Sequence, residues 1–196
     1  MDVLQELKEI REMNARVEQL AQRNANPVLI QKAMEVAAKP EETNLGYQAR
    51  VLIYSYASDF LEAAQERDIS LSFQPEEVEQ IPQAIGCAYE VNRVRRALSD
   101  GDNLVMISKE LGCYLALTLC HAMAGKIEVQ SIPVRPTKGL SPLLVNGMII
   151  SVARPGHSTV NPIEVANRVV RSIQVGETGL AMNQRPLLRL LQEEKT

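Results

Sequence analysis

The stretch CYLALTLCHAMAGKIEVQS, residues 113–131, decides the fold of this chain. Its first half is apolar on every side, which predicts a helix over about residues 108–124 that is buried in a core. Gly125 then ends the helical pattern, and Ile127 and Val129 alternate with polar residues as in a half-buried strand. Prolines at 133 and 136 end that strand. A buried helix that leads directly into a strand predicts a domain in which helices pack on a sheet.

Upstream of this stretch the patterns are mainly helical. Helices are predicted over about residues 2–24, 26–40, 44–67 and 85–98, with Asn26 and Pro27 opening the second and Pro40 ending it. The alternation in DISLSF predicts a short strand at 69–73. Residues 104–107, LVMI, suit either a short strand or the first turn of the next helix.

Downstream, Asn146-Gly147 between two apolar runs suits a hairpin turn. Asn161, Pro162 and Glu164 predict a capped helix over about residues 161–174, and a short helix follows from about residue 186. The fold predicted is therefore α+β, a helical N-terminal region followed by a small mixed or mostly antiparallel sheet with packed helices. We divide the chain into a helical region at 1–67, an α/β domain at 68–176 and a helical tail at 177–196.

The first helix carries a coiled-coil seam, because its apolar residues recur at alternating steps of four and three. An asparagine within such a seam is typical of a device that fixes the register between helices. The seam is only about three heptads long, so it needs a partner helix. That partner is either another helix of the same chain or a second copy in a homo-oligomer. The predicted interface residues are Val3, Leu7, Ile10, Asn14 and Val17.

Composition argues against several classes of partner. The net charge is −3, there is no Trp, and only two Phe and five Tyr occur in 196 residues. A nucleic-acid or membrane surface is therefore not expected. The N-terminus has no secretory pattern, and no run of about 18 apolar residues predicts a membrane span. With three cysteines in apolar surroundings, reduced thiols and a cytoplasmic location are predicted.

Cys113, Cys120 and His121 are the residues in the opening stretch that could carry chemistry. Cys113 and Cys120 share a helix face, whereas His121 points about 100° away from Cys120, so one helix cannot aim all three at one metal. We favour the interpretation that the cysteines belong to the core, and we predict neither metal nor cofactor. A nucleophilic pair of cysteine and histidine meeting only in space is the alternative.

Basic residues form the other group of candidates. Arg93, Arg95 and Arg96 lie within one short helix and could contact an anion or an acidic partner, although a solvated face is the simpler interpretation. His157 and Ser158 precede a helix N-terminus, where an anion could bind and where capping explains the same residues. Further cations stand on later loops at Arg135, Lys138 and Arg154.

Three stretches, taken in order, resemble the ATP-binding domain of sensor histidine kinases over about residues 44–131. NLGYQARVLIYSYASDFLEAAQERDISLSF resembles the opening helix and strand of that domain. YEVNRVRRALSD resembles the start of the helix that bears its magnesium-binding asparagine. LGCYLALTLCHAMAGKIEVQS resembles the helix after the ATP lid, which ends in Gly-x-Ile-x-Val-x-Ser.

The chain departs from the family where ATP would bind. SDGDN stands where the family has its asparagine box, and the adenine-reading Asp-x-Gly box and the glycine-rich lid are missing. The resemblance therefore implies a degenerate domain that serves as a dimeric scaffold or adaptor. We predict a non-enzymatic, self-associating interaction protein in signalling or regulation. The alternative is an enzyme or small-molecule binder that uses Cys113, His121 and His157.

Overall fold

The computed structural model describes residues 3–22, 44–131, 147–172, 174–176, 179–181 and 185–191. Side chains from helices at both ends of this part of the chain join one buried apolar cluster. The elements in chain order are α1 (Val3–Gln22), α2 (Asn44–Gln65), a 3-10 helix (Pro75–Glu79), α3 (Ile81–Arg96), α4 (Asp100–Ala122), β1 (Lys126–Ser131), β2 (Met148–Ala153), α5 (Pro162–Arg171), β3 (Gln174–Gly176), β4 (Gly179–Ala181) and α6 (Arg185–Leu191).

Helix α4 is the centre of the core. Every residue from Ile107 to Cys120 is buried, as expected for a helix that is apolar on all sides. Its N-terminus is capped by Ser99, whose side chain accepts a hydrogen bond from the Asp102 backbone N–H. The helix begins earlier than predicted, and residues 104–107 belong to it.

By length and composition α4 could also cross a membrane. However, 78% of its most apolar window is buried inside the protein. Other helices cover this apolar surface, as they do around the core helix of a soluble protein.

Helices α2 and α5 both pack on α4, and α5 approaches it closely at Gly112. A Cβ atom added to Gly112 would lie 2.6 Å from the Ile163 Cα atom, so only glycine allows this helix–helix distance. The predicted cap of α5 is confirmed, because Asn161 Oδ1 accepts hydrogen bonds from the Ile163 and Glu164 backbone N–H groups at 3.0 and 3.1 Å. The Glu164 carboxylate pairs with Arg168.

The strands of the described residues form two separate two-stranded antiparallel sheets. Strand β1 pairs with β2 from Lys126 opposite Ala153 to Ser131 opposite Met148, and β3 pairs with β4. Met148, Ile150 and Val152 on β2 are buried while their neighbours are half-buried, which is the alternation of a sheet with one face on a core. The predicted α+β class, helical first and then a small antiparallel sheet, is confirmed.

The predicted strand at residues 69–73 is wrong. This segment pairs with no strand in the described structure, and Phe73 has a φ of +63°. The reason is that a carboxylate takes the backbone donors a strand would use: Glu77 accepts from the N–H groups of Ser72 at 2.7 Å and Gln74 at 3.1 Å. The segment is therefore held by hydrogen bonds to Glu77 of the 3-10 helix that follows it.

Some predictions fall on residues outside the described ranges. The helix predicted at 26–40, the loop with Arg135 and Lys138, and Asn146 of the hairpin turn are among them. Gly147 is described, and its φ of +79° agrees with the positive φ that such a turn requires.

Candidate functional site

The cysteine and histidine candidates do not converge. Cys113 is completely buried, Cys120 is 7% exposed, and His121 is half-buried with its ring 6.4 Å from that of Phe73. Cys113 and His121 are eight residues apart on α4, a rise of about 12 Å at about 1.5 Å per residue. His157 is exposed on the loop after β2. Cys113 and His121 therefore cannot form a nucleophilic pair within α4.

The cysteine thiols lie in surroundings that oppose ionisation. Burial raises the pKa of Cys113, and the nearby Glu110 carboxylate raises it further. Burial also raises the pKa of Cys120 to about 11. Because the thiolate is the reactive form, both side chains behave as small apolar core residues in this fold.

The three arginines of α3 are each engaged by carboxylates. Arg93 lies 3.6 Å from Glu90 on the same helix, and Arg95 pairs with Glu66. Arg96 reaches two acids, Asp59 at 2.5 Å and Glu110 at 3.0 Å. Their positive charge is therefore largely balanced within the protein.

The contacts of Arg96 lead to a cluster of Asp59, Asn92, Arg96 and Glu110, which we call the buried polar cluster after its buried members, Asn92 and Glu110; Asp59 is half-buried and Arg96 is exposed. Glu110 is 1% exposed, and its two carboxylate oxygens accept hydrogen bonds from Asn92 Nδ2 at 3.2 and 3.0 Å. Arg96 Nη1 donates to the same carboxylate, while its Nη2 donates to Asp59. The buried polar cluster thus joins α2, α3 and α4.

Burial dominates the electrostatics of this cluster. It raises the pKa of Glu110 to about 7, although the hydrogen bond from Asn92 and the charge of Arg96 act in the opposite direction. The pKa of Tyr56, on the α2 face beside the cluster, is also raised, mainly by burial. The arrangement can hold a proton near neutral pH, and its carboxylate is enclosed by the three helices.

Glu110 is expected to make the stability of the protein pH-dependent. Its folded pKa, about 7, exceeds the value of about 4.5 for the unfolded chain, so between these two values the folded state binds the extra proton. Stability from this group is therefore highest at low pH and falls as the pH rises from about 4.5 to about 7. The loss is about 3 kcal/mol at about 1.4 kcal/mol per pKa unit.

Urea unfolding of the wild type and Glu110→Gln from pH 4.5 to 8 measures this effect, because glutamine keeps the shape and cannot titrate. The difference in unfolding free energy between the two proteins should shift by about 3 kcal/mol across this range. Glu66→Gln removes an exposed carboxylate that also pairs with an arginine and serves as the control. A constant difference between wild type and Glu110→Gln would contradict the prediction.

The buried polar cluster was not predicted from the sequence, although a signal was present. Asn92 and Arg96 are four residues apart and so share a face of α3. Lys109 and Glu110 are the only charged residues between Ile107 and Cys120. A charge in such a run needs a buried partner, but the pattern does not say which helix supplies it.

The predicted interface residues of α1 fill the core of the chain itself. Val3, Leu7 and Ile10 are 0%, 6% and 2% exposed, and α1 packs on α2. Ion pairing adds to this contact, since Arg50 on α2 lies 3.4 Å from Glu6. The side chains of Asn14 and Val17 lie outside the described part of the chain. An interface between copies that used Val3, Leu7 and Ile10 would require α1 to separate from α2 of its own chain.

The comparisons with known proteins assign no family to this chain. The chain matches no family model, no curated protein and no solved structure. Among the residues that the structure describes, no group of three His, Cys, Asp or Glu side chains is placed to hold a metal ion.

Proposed function

We propose that this protein is a non-enzymatic interaction protein, cytoplasmic and self-associating, that works as an adaptor. The observation that carries the proposal is an apolar cleft beside α1 of about 370 Å³. Leu4 lies at this cleft and is 50% exposed, so it presents apolar surface next to the apolar residues of the lining. We call this surface the α1 cleft; its apolar lining consists of Leu4, Leu7, Leu61, Ile69, Leu71 and Phe73.

A second copy of the chain suits the α1 cleft. The charged residues of its lining are one cation, Arg11, and one anion, Asp68, so the surface has no net charge to select a strongly charged partner. In a two-fold dimer the same patch serves both copies. Leu4 of each copy would then fill the α1 cleft of the other, and α1 would stay packed on its own α2.

The alternative, an enzyme that uses Cys113, His121 and His157, has less support from the geometry. Such a site needs its groups in one cleft. Instead Cys113 is enclosed in the core while His157 is exposed on a loop. The raised thiol pKa values also disfavour a cysteine nucleophile.

The resemblance to sensor histidine kinases stays a prediction, and it leads to the same proposal. A degenerate ATP-binding domain without its boxes would act as a dimeric scaffold. We expect MgATP at millimolar concentration to produce no heat of binding in calorimetry. Saturable binding of MgATP would contradict the degenerate interpretation.

Light scattering coupled to size exclusion tests self-association. The wild type is expected to elute as a dimer at micromolar concentration and Leu4→Asp as a monomer, because a carboxylate in the apolar contact is costly to desolvate. Lys8→Asp places the same group at another exposed position of α1 outside the α1 cleft, and it should remain dimeric. A monomeric wild type, or a Leu4→Asp variant that stays dimeric, would contradict the proposal.

A further inference from the structure

A groove of about 580 Å³ follows the outer side of α3, beside the turn that comes after α2. Its residues all belong to the continuously described range 44–131, and it shares no lining residue with the α1 cleft. We call it the α3 groove; its lining residues are Arg67, Pro82, Gln83, Gly86, Cys87 and Glu90.

An exposed valine continues this face of α3. Val94 comes four residues after Glu90, so it lies on the same face one helical turn further on. The large apolar side chains that are exposed in the described residues are Leu4 of the α1 cleft and Val94, which is 77% exposed. Covering such a side chain is favourable. One end of the face therefore presents an apolar group, and the other end presents a groove that such a group can fill.

The charges on this face can pair between two copies. Arg67 is exposed, and its side chain forms no hydrogen bond or ion pair with the residues that the structure describes. Burial raises the pKa of Cys87 and the nearby charge of Arg67 acts in the opposite direction, so the cation lies beside the middle of the groove. Glu90 is 3.6 Å from Arg93, and an exposed pair of this kind contributes little. Glu90 can therefore still pair with a cation from another molecule.

We propose that the α3 groove is a second contact between copies of this chain, in which two α3 helices cross antiparallel about a two-fold axis near the middle of α3. Val94 of each copy then enters the α3 groove of the other, and Arg67 of each copy faces Glu90 of the other. A second copy fits because a two-fold contact uses the same patch twice, and this patch holds both the groove and its filler, both the cation and the anion.

The α3 contact goes beyond the dimer through the α1 cleft. A chain with two self-complementary faces assembles beyond a dimer, as in tetramers built from two kinds of two-fold interface. The ion pairs of the α3 contact are exposed and therefore weak, so we expect it to form at higher concentration than the dimer through the α1 cleft.

Sedimentation equilibrium of Leu4→Asp at millimolar concentration isolates the α3 contact from the α1 cleft. This protein is expected to form a dimer, and Leu4→Asp combined with Val94→Asp to stay monomeric, because a carboxylate in the groove is costly to desolvate. Leu4→Asp combined with Gln130→Asp is the control, since it adds the same charge at an exposed position of β1. Thermal unfolding verifies that each variant is folded.

Charge reversal separates a contact between copies from one within a chain. In the Leu4→Asp background, Arg67→Glu and Glu90→Arg should each associate at least about tenfold more weakly, because like charges then face each other across the two-fold axis. An equimolar mixture of the two variants should associate again, since each pair between them consists of an acid and a base. A role of Arg67 and Glu90 within one chain predicts no recovery on mixing.

Four results would overturn the proposal. They are a Leu4→Asp protein that is monomeric at millimolar concentration, equal association of the Val94→Asp and Gln130→Asp variants, charge-reversed variants that associate like the background, and a mixture that does not recover. A wild type that is monomeric at micromolar concentration, together with an α3 contact that passes these tests, would contradict the α1 cleft alone.

Discussion

Gly112→Val is expected to abolish cooperative folding of this protein, and Gly112→Ala to destabilise it by about 2 kcal/mol. The added Cβ would lie 2.6 Å from the Ile163 Cα and 2.7 Å from its Cγ1. Because the nearest atom is backbone, α4 and α5 would have to move apart along their contact. Overpacking of this kind costs roughly 1–3 kcal/mol and more for larger groups, which outweighs the helix propensity of about 1 kcal/mol that favours alanine over glycine.

Gly101 supplies the matched control, since it lies in the first turn of the same helix. A Cβ added there meets no atom within 4 Å, so Gly101→Ala should stabilise the protein by up to about 1 kcal/mol. Urea unfolding followed by circular dichroism measures both variants. If Gly112→Ala is as stable as Gly101→Ala, the close α4–α5 contact is not as described.

Glu77→Ala is expected to destabilise the protein by about 3–5 kcal/mol. Its buried carboxylate accepts hydrogen bonds from the Tyr114 hydroxyl at 2.6 Å, from the Ser72 N–H and hydroxyl, and from the Gln74 N–H. Removing the acceptor leaves the Tyr114 hydroxyl buried beside Phe73, whose ring centroid is 5.1 Å from that of Tyr114. The free-energy cost of leaving these donors without an acceptor adds to the cost of losing the order of the segment at 69–73.

Two further variants separate these contributions. Tyr114→Phe removes one donor and keeps the stacking, so it should cost only about 1–2 kcal/mol. Glu76→Ala removes an exposed carboxylate from the same 3-10 helix and should change the free energy of unfolding by less than about 0.5 kcal/mol. A loss in Glu77→Ala no larger than that in Glu76→Ala would show that the carboxylate does not hold the segment at 69–73.

The candidate sites could be predicted only in part. Arg96 was among the sequence candidates, but its pairing with Glu110 depends on how α3 crosses α4. Arg154 was also among them, but its hydrogen bond to the Leu190 carbonyl oxygen depends on how α6 packs against the end of β2. Local patterns identify charged residues, and they do not identify which of those residues meet.

The sequence by itself determined the buried helix and strand at 113–131, the Asn161 cap and the α+β class, because periodicity and capping act over a few neighbouring residues. Tertiary structure decided the partner of the α1 seam, the conformation of the segment at 69–73 and the balance of charge around Arg96. Each of these depends on contacts between segments distant in sequence, where burial and competition for hydrogen-bond donors outweigh local preference.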